Sequence, residues 1–119
     1  MEMNKQMEQW LAEYQTLNNN IQMIMMQKQQ TLMNLEGAKM ALEEIDKVEG
    51  KVYKVAGSIM VQKDKEQVKN ELTEKKEFLD AKNSSLTKQE EKLKAKMIEL
   101  RDKIEGELRG SKPKGSAGA

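Results

Sequence analysis

The side chains that could carry out chemistry in this 119-residue chain are few in kind. The sequence contains no Cys and no His. It therefore lacks thiol nucleophiles, disulfides, thiolate metal ligands and the usual acid–base group near neutral pH. Its many Glu residues lie on solvated helix faces, without a phosphate-binding loop or a pair of carboxylates placed for catalysis. We predict no enzymatic activity, no metal site and no cofactor.

The residues best suited to act on another molecule are apolar ones near both ends of the chain, whose chemistry is contact. The single Trp lies among them. The predicted contact residues, here called the tip cluster, are Met3, Met7, Trp10, Leu11, Tyr14, Leu100, Ile104 and Leu108. They either complete a helix–helix seam or contact other proteins. Because helix ends fray and Gly106 weakens the last turns, the same residues can do both.

The elements that must position this cluster are two long helices. From residue 3 to residue 45, apolar side chains recur alternately every four and three residues, the spacing of a coiled-coil seam. Lys28 and Thr31 interrupt this seam and are expected to turn outward to solvent. The second helix repeats leucine at every seventh position: Leu72, Leu79, Leu86, Leu93 and Leu100. Its remaining seam positions are predicted to be polar: Lys75, Lys82, Gln89 and Lys96.

A short segment rich in β-branched and aromatic residues separates the helices. Gly50 can end the first helix, and Gly57 provides a turn between two apolar runs. The residues predicted to form this hairpin and to mediate assembly are Val52, Tyr53, Val55, Gly57, Ile59, Met60 and Val61. We therefore predict a mainly α fold, a long antiparallel two-helix coiled coil with one β-hairpin inserted between the helices.

The predicted domain covers residues 1–109. Its first helix spans about residues 3–48, its hairpin about 51–63 and its second helix about 65–108. Residues 110–119 contain mainly Gly, Ser, Ala and Lys, which have little to bury, so this tail is expected to be disordered.

Two features indicate that the chain does not act alone. An isolated two-stranded hairpin is marginally stable, and its unpaired edges invite further strands. In addition, Met26, Met33 and Met40 lie seven residues apart on the face opposite the seam. Such an apolar stripe normally marks an interaction surface. Packing against a neighbouring subunit is the favoured interpretation, with client binding as the alternative.

The composition narrows the classes of partner. Hydrophobic residues make up 37% of the chain and charged residues 34%, and the net charge is +1. Since basic and acidic residues are interspersed, the chain lacks the basic surface of a nucleic-acid binder. No apolar segment is long enough to cross a membrane. We expect a cytosolic protein with neither a nucleic-acid nor a membrane partner, whose ten Met residues give an adaptable apolar surface.

The sequence resembles the β-type prefoldin subunits of archaea over nearly its whole length. Val52-Tyr53-Lys54 followed by Gly57 and Val61 is the most specific element of the resemblance. The other matching segments are Gln27-Lys28-Gln29, Ala41-Leu42-Glu43-Glu44-Ile45, and Gln89-Glu90 followed by Leu93. A single hairpin between the helices is typical of the β class, since α-type subunits have room for two.

The resemblance implies a hexamer of two alpha and four beta subunits whose hairpins close into a double β-barrel. It further implies an ATP-independent chaperone that holds unfolded client proteins at the coiled-coil tips and delivers them to a group II chaperonin. The alternative class is a structural coiled coil or a filament-forming prefoldin relative, in which hairpins add edge to edge without closing.

Overall fold

The structure, a computed structural model, describes residues 4–110. Helix α1 spans Lys5–Lys47, strand β1 Val52–Ala56, strand β2 Ile59–Lys63, and helix α2 Lys65–Gly110. The predicted fold class, two long helices with one antiparallel hairpin between them, is confirmed. Helix α2 includes Gly110, which the sequence analysis assigned to the tail. Residues 111–119 and Met3 lie outside the described part of the chain.

The start of α1 is fixed by Asn4. Its side-chain Oδ1 accepts a hydrogen bond of 2.7 Å from the backbone N of Met7, which is the geometry of a helix N-cap. The Asn4 amide nitrogen Nδ2 also donates to Oε1 of Glu107 in α2 at 3.0 Å. One residue therefore begins the first helix and joins it to the last turns of the second.

The hairpin has a two-residue loop. Val52 pairs with Lys63 and Ala56 with Ile59, so Gly57 and Ser58 form the turn. Gly57 has a φ of 62°, and no non-glycine residue in the described part of the chain has a positive φ. A glycine with positive φ at the first turn position is typical of a type II′ turn, whose twist matches that of the flanking strands.

The chain forms two compact units. Among the described residues, the terminal unit contains residues 4–26 and 87–110, and the hairpin unit contains residues 27–86. The buried apolar residues of the terminal unit are Met7, Ile21, Ile24 and Leu100. Those of the hairpin unit are Leu35, Ala38, Ile45, Leu79 and Leu86. Both units are thus built around the seam that the heptad spacing predicts.

The seam differs from the prediction at Thr31. This residue is only 2% exposed, so it does not turn outward. Its hydroxyl donates a hydrogen bond of 2.8 Å to the backbone carbonyl of Gln27. Because that bond satisfies the hydroxyl within the helix, Thr31 can be buried without a partner on α2.

The polar seam positions of α2 were also predicted wrongly. Lys75, Lys82, Gln89 and Lys96, three residues after each leucine, are all exposed. The half-buried positions come four residues after each leucine, at Lys76, Asn83, Glu90 and Met97. A strict leucine heptad is compatible with either spacing, and the structure selects the second. The revised seam contains Met97 and includes Asn83, which is half-buried in the hairpin unit.

Candidate binding surfaces

The described members of the tip cluster differ widely in exposure. Met7 and Leu100 are buried and belong to the seam. Trp10, Tyr14 and Ile104 are half-buried. Leu11 and Leu108, at 39% and 49% exposed, are the most exposed of the described members. Within the terminal unit, the seam and an open apolar surface are therefore adjacent.

Two grooves run beside the seam of the terminal unit. The first, here called the cationic groove, has a volume of about 340 Å³. Its main lining residues are Tyr14, Ile21, Lys94, Met97, Ile98 and Arg101. The second, here called the mixed-charge groove, has a volume of about 390 Å³. It is lined by Glu13, Leu17, Lys96, Glu99, Leu100 and Lys103, among others. The same two helices thus form one groove lined by cations and one in which the charges balance.

The hairpin displays apolar side chains on both of its faces. Val55, Ile59 and Met60 are between 60% and 69% exposed. Val55 pairs with Met60 on one face, whereas Ile59 and Val61 lie on the other because side chains alternate along a strand. Tyr53 and Val61 are also exposed, and Val52 is half-buried. The sheet has only two strands, so both of its edges lack a strand partner among the described residues.

The predicted methionine stripe is open to solvent. Met26, Met33 and Met40 are each more than half exposed, on the face of α1 turned away from the buried seam residues. The neighbouring Met25 and Leu32 are exposed as well. The structure thus places every stripe residue on an accessible apolar face.

Polar contacts hold the base of the hairpin unit together. Nζ of Lys69 lies 2.8 Å from Oδ1 of Asp46, and Nζ of Lys65 donates to the backbone carbonyl of Val48 at 3.0 Å. The hydrogen bond and charge of Lys69 lower the pKa of the Asp46 carboxyl below its ordinary value of 3.8. The same interactions raise the pKa of Lys69 above 10.5. These contacts tie the end of α1 to the start of α2 where the hairpin leaves the helices.

Several exposed apolar residues were not predicted from the sequence. Phe78 and Ile98 are 66% and 50% exposed, and Met23 is also exposed. Phe78 precedes Leu79, and Ile98 falls between two seam residues, so neither fits the heptad by which apolar residues were assigned. An apolar residue off the heptad of a highly charged helix is the signal that could have identified them.

The described residues contain no group of His, Cys, Asp and Glu side chains suited to holding a metal ion. None of the helices in residues 4–110 is both long and apolar enough to cross a membrane.

Comparisons with known proteins agree with this architecture. The family model for the prefoldin subunit matches residues 8–111. The chain belongs to the prefoldin subunit family. It is 39% identical to prefoldin subunit beta of Thermococcus onnurineus over 87% of this chain and 91% of that one. It is 37% identical to prefoldin subunit beta of Archaeoglobus fulgidus over 90% and 94% of the two chains.

A solved structure is similar in fold as well as sequence. The crystal structure of the prefoldin beta subunit from Thermococcus strain KS-1 has a TM-score of 0.82 and 32% sequence identity. The alignment covers 94% of this chain and 98% of that one. The resemblance to β-type prefoldin subunits is thereby confirmed. Membership and fold support a prefoldin chaperone role, in a family not known for enzymatic activity. The structural or filament-forming alternative is not favoured.

Proposed function

We propose that this chain is the β-type subunit of a cytoplasmic prefoldin that captures unfolded proteins without ATP or catalysis and passes them to a group II chaperonin. The observation that carries this proposal is the exposure of apolar side chains on the hairpin and the terminal unit of a strongly charged chain. Two such surfaces fit two tasks, assembly and capture. Neither task requires a metal, a cofactor, a membrane or a nucleic acid.

Assembly is assigned to the hairpin. Its two free edges provide unpaired backbone donors and acceptors, and Val55, Ile59 and Met60 provide apolar surface on both faces. Further hairpins can satisfy both requirements by extending the sheet into a closed barrel. The proposed partners are alpha-type prefoldin subunits and further copies of this chain, in a hexamer of two alpha and four beta subunits. Light scattering of the chain alone and mixed with an alpha-type subunit measures the stoichiometry.

Capture is assigned to the tip cluster, with Leu11 and Leu108 as its most exposed described members. Burial of one large apolar side chain contributes roughly 1.5 to 3 kcal/mol, which is weak for a single site. Several terminal units on one assembly raise the effective concentration for a client with many apolar segments. Weak individual contacts thus permit both retention and release.

Suppression of aggregation of a denatured test protein, with no nucleotide added, tests capture. The double substitution Leu11→Ser and Leu108→Ser is expected to lose suppression while the oligomer keeps its size. The matched control is Phe78→Ser, which removes an exposed apolar side chain from the hairpin unit and is expected to retain suppression. Equal suppression by the double variant and the parent would contradict capture by the tip cluster. Recovery of the captured client after a group II chaperonin is added tests transfer.

The methionine stripe is assigned to packing against a neighbouring subunit. Met33→Lys places a charge in the middle of the stripe and is expected to weaken the oligomer in light scattering. If the Met33→Lys oligomer kept its size but failed to suppress aggregation, the stripe would bind clients instead.

A further inference from the structure

The cationic groove has a floor suited to a single apolar side chain. Tyr14 and Ile21 contribute from α1, and Met97 and Ile98 from α2. Ile98 is half exposed although it lies beside the seam. The volume of about 340 Å³ is at the small end of the 300–1,000 Å³ typical of ligand pockets. It therefore fits a side chain from an extended segment better than a folded partner.

The charges around this floor all have one sign. Lys94 and Arg101 line the groove, and no acidic residue does. From Tyr14 to Gln27, helix α1 carries no charged residue, so it places no carboxylate opposite the two cations. The mixed-charge groove differs, because Glu13 and Glu99 accompany Lys96 and Lys103 there. The unequal grooves lie on one pair of helices, so the positive lining is local and does not come from the net charge.

The two cations have carboxylate partners outside the groove, both at long distances. Nζ of Lys94 lies 3.8 Å from Oε2 of Glu90, and Nη2 of Arg101 lies 3.9 Å from Oδ1 of Asp102. Both cationic side chains are 56% exposed and Asp102 is 65% exposed, whereas Glu90 is only 12% exposed. An exposed ion pair such as that of Arg101 with Asp102 contributes little, so an incoming carboxylate can compete for Arg101, and the exposed Lys94 remains accessible beside it.

We propose that the cationic groove binds segments of unfolded polypeptides in which a bulky apolar side chain adjoins a carboxylate. The apolar side chain lies over Ile98 and Met97, and the carboxylate pairs with Arg101 or Lys94. This inference rests on the proposed capture function and adds a preference to it. Capture selects for acidic–apolar segments at this groove, whereas the tip cluster selects only for apolar surface.

Binding of short fluorescent peptides to the full chain, followed by anisotropy, tests the proposal. Three peptides of equal length carry repeated Leu–Glu, Leu–Lys or Ser–Glu pairs. One exposed ion pair changes an affinity by about 1.4- to fivefold. The Leu–Glu peptide is therefore expected to bind about 2- to 25-fold more tightly than the Leu–Lys peptide, and the difference should shrink as salt screens the charges. The Ser–Glu peptide is expected to bind more weakly than Leu–Glu. Equal binding of the Leu–Glu and Leu–Lys peptides would overturn the proposal.

Reversing the charges of one groove at a time tests which groove causes the preference for the Leu–Glu peptide. The double substitution Lys94→Glu and Arg101→Glu is expected to favour the Leu–Lys peptide. The control, Lys96→Glu and Lys103→Glu in the mixed-charge groove, makes the same change in net charge and is expected to keep the preference for Leu–Glu. Circular dichroism verifies that both variants remain helical. If both variants changed preference equally, general electrostatics and not the groove would govern binding, and the assignment would be wrong.

The peptide-binding test of the groove and the aggregation test of the capture function can fail independently. A wild-type chain that suppresses aggregation but binds the Leu–Glu and Leu–Lys peptides equally would retain the capture function and refute the groove preference. A chain that prefers the Leu–Glu peptide but does not suppress aggregation would support the groove and contradict the capture function.

Discussion

Asn83 provides a sharp test of the packing of the hairpin unit. It lies four residues after Leu79 at a half-buried seam position of α2. Its side-chain oxygen Oδ1 is buried, with no hydrogen-bond partner in the described part of the chain. A buried acceptor without a partner loses its hydration and gains nothing in return. We therefore expect Asn83→Leu to stabilise the protein.

The stabilisation expected for Asn83→Leu has two contributions. Removing an unsatisfied buried polar group recovers about 1–3 kcal/mol. Leu is also a better helix former than Asn, by at most about 0.7 kcal/mol. A domain of 60–100 residues shifts its melting temperature by about 4–8 °C per kcal/mol. The melting temperature of Asn83→Leu should thus rise by at least roughly 4 °C.

Thermal unfolding followed by circular dichroism, at one fixed protein concentration, measures this effect. Ser84→Leu is the control, because Ser84 is exposed on the same turn of α2. It gains helix propensity without removing a buried acceptor, so only a few tenths of a kcal/mol are expected. A melting temperature for Asn83→Leu that is unchanged, lowered or equal to that of Ser84→Leu would refute the reasoning.

Three further predictions concern the hairpin unit and α2. Val61→Asp places a carboxylate on the exposed hairpin and should dissolve the oligomer in light scattering, while circular dichroism still reports long helices. The pKa of Asp46 is lowered by Lys69, so the stability from their pair should be present near neutral pH and lost as pH falls through the lowered pKa. Asp46→Asn should therefore have a lower melting temperature than the parent at neutral pH and the same melting temperature in strong acid. Gly57→Ala should destabilise the chain by about 1–2 kcal/mol in urea unfolding, because its φ of 62° disfavours a side chain. Gly106→Ala, within α2, should have the opposite sign, and a loss of stability there would contradict this.

The periodicity of the sequence was sufficient to predict the fold but not the details of the seam. Leucines at every seventh position predict a long helix, and the glycine between two β-rich runs predicts a hairpin. The second seam position in each heptad is less constrained, since residues three and four after a leucine are both near the partner helix. Lys75 and Lys76 are both charged, so that heptad carries no apolar signal, and the structure leaves Lys75 exposed and Lys76 half-buried. The signal lies further along the helix, where Met97 follows Leu93 by four residues.

The sequence predicts which residues of the candidate surfaces are apolar, but not how exposed each of those side chains is. Met7 and Leu11 are both apolar and only four residues apart, yet one is buried and the other is open. The difference depends on the direction of each side chain around the helix, and small changes in helix phase decide it. The cationic groove was not predicted for the same reason. Ile98 becomes part of a groove only because the fold brings it beside Arg101 and Tyr14.

The two helices differ in the kind of surface that they expose. Helix α1 carries the exposed methionines and a segment, Tyr14 to Gln27, without any charge. Helix α2 carries the leucine seam and a dense pattern of Lys and Glu that keeps the chain hydrated. An apolar surface that must remain exposed requires such charge nearby, because contiguous apolar patches otherwise cause aggregation. In the terminal unit, Lys94 and Arg101 of α2 line one groove together with Tyr14 and Ile21 of α1, so charged and apolar side chains border the same surface.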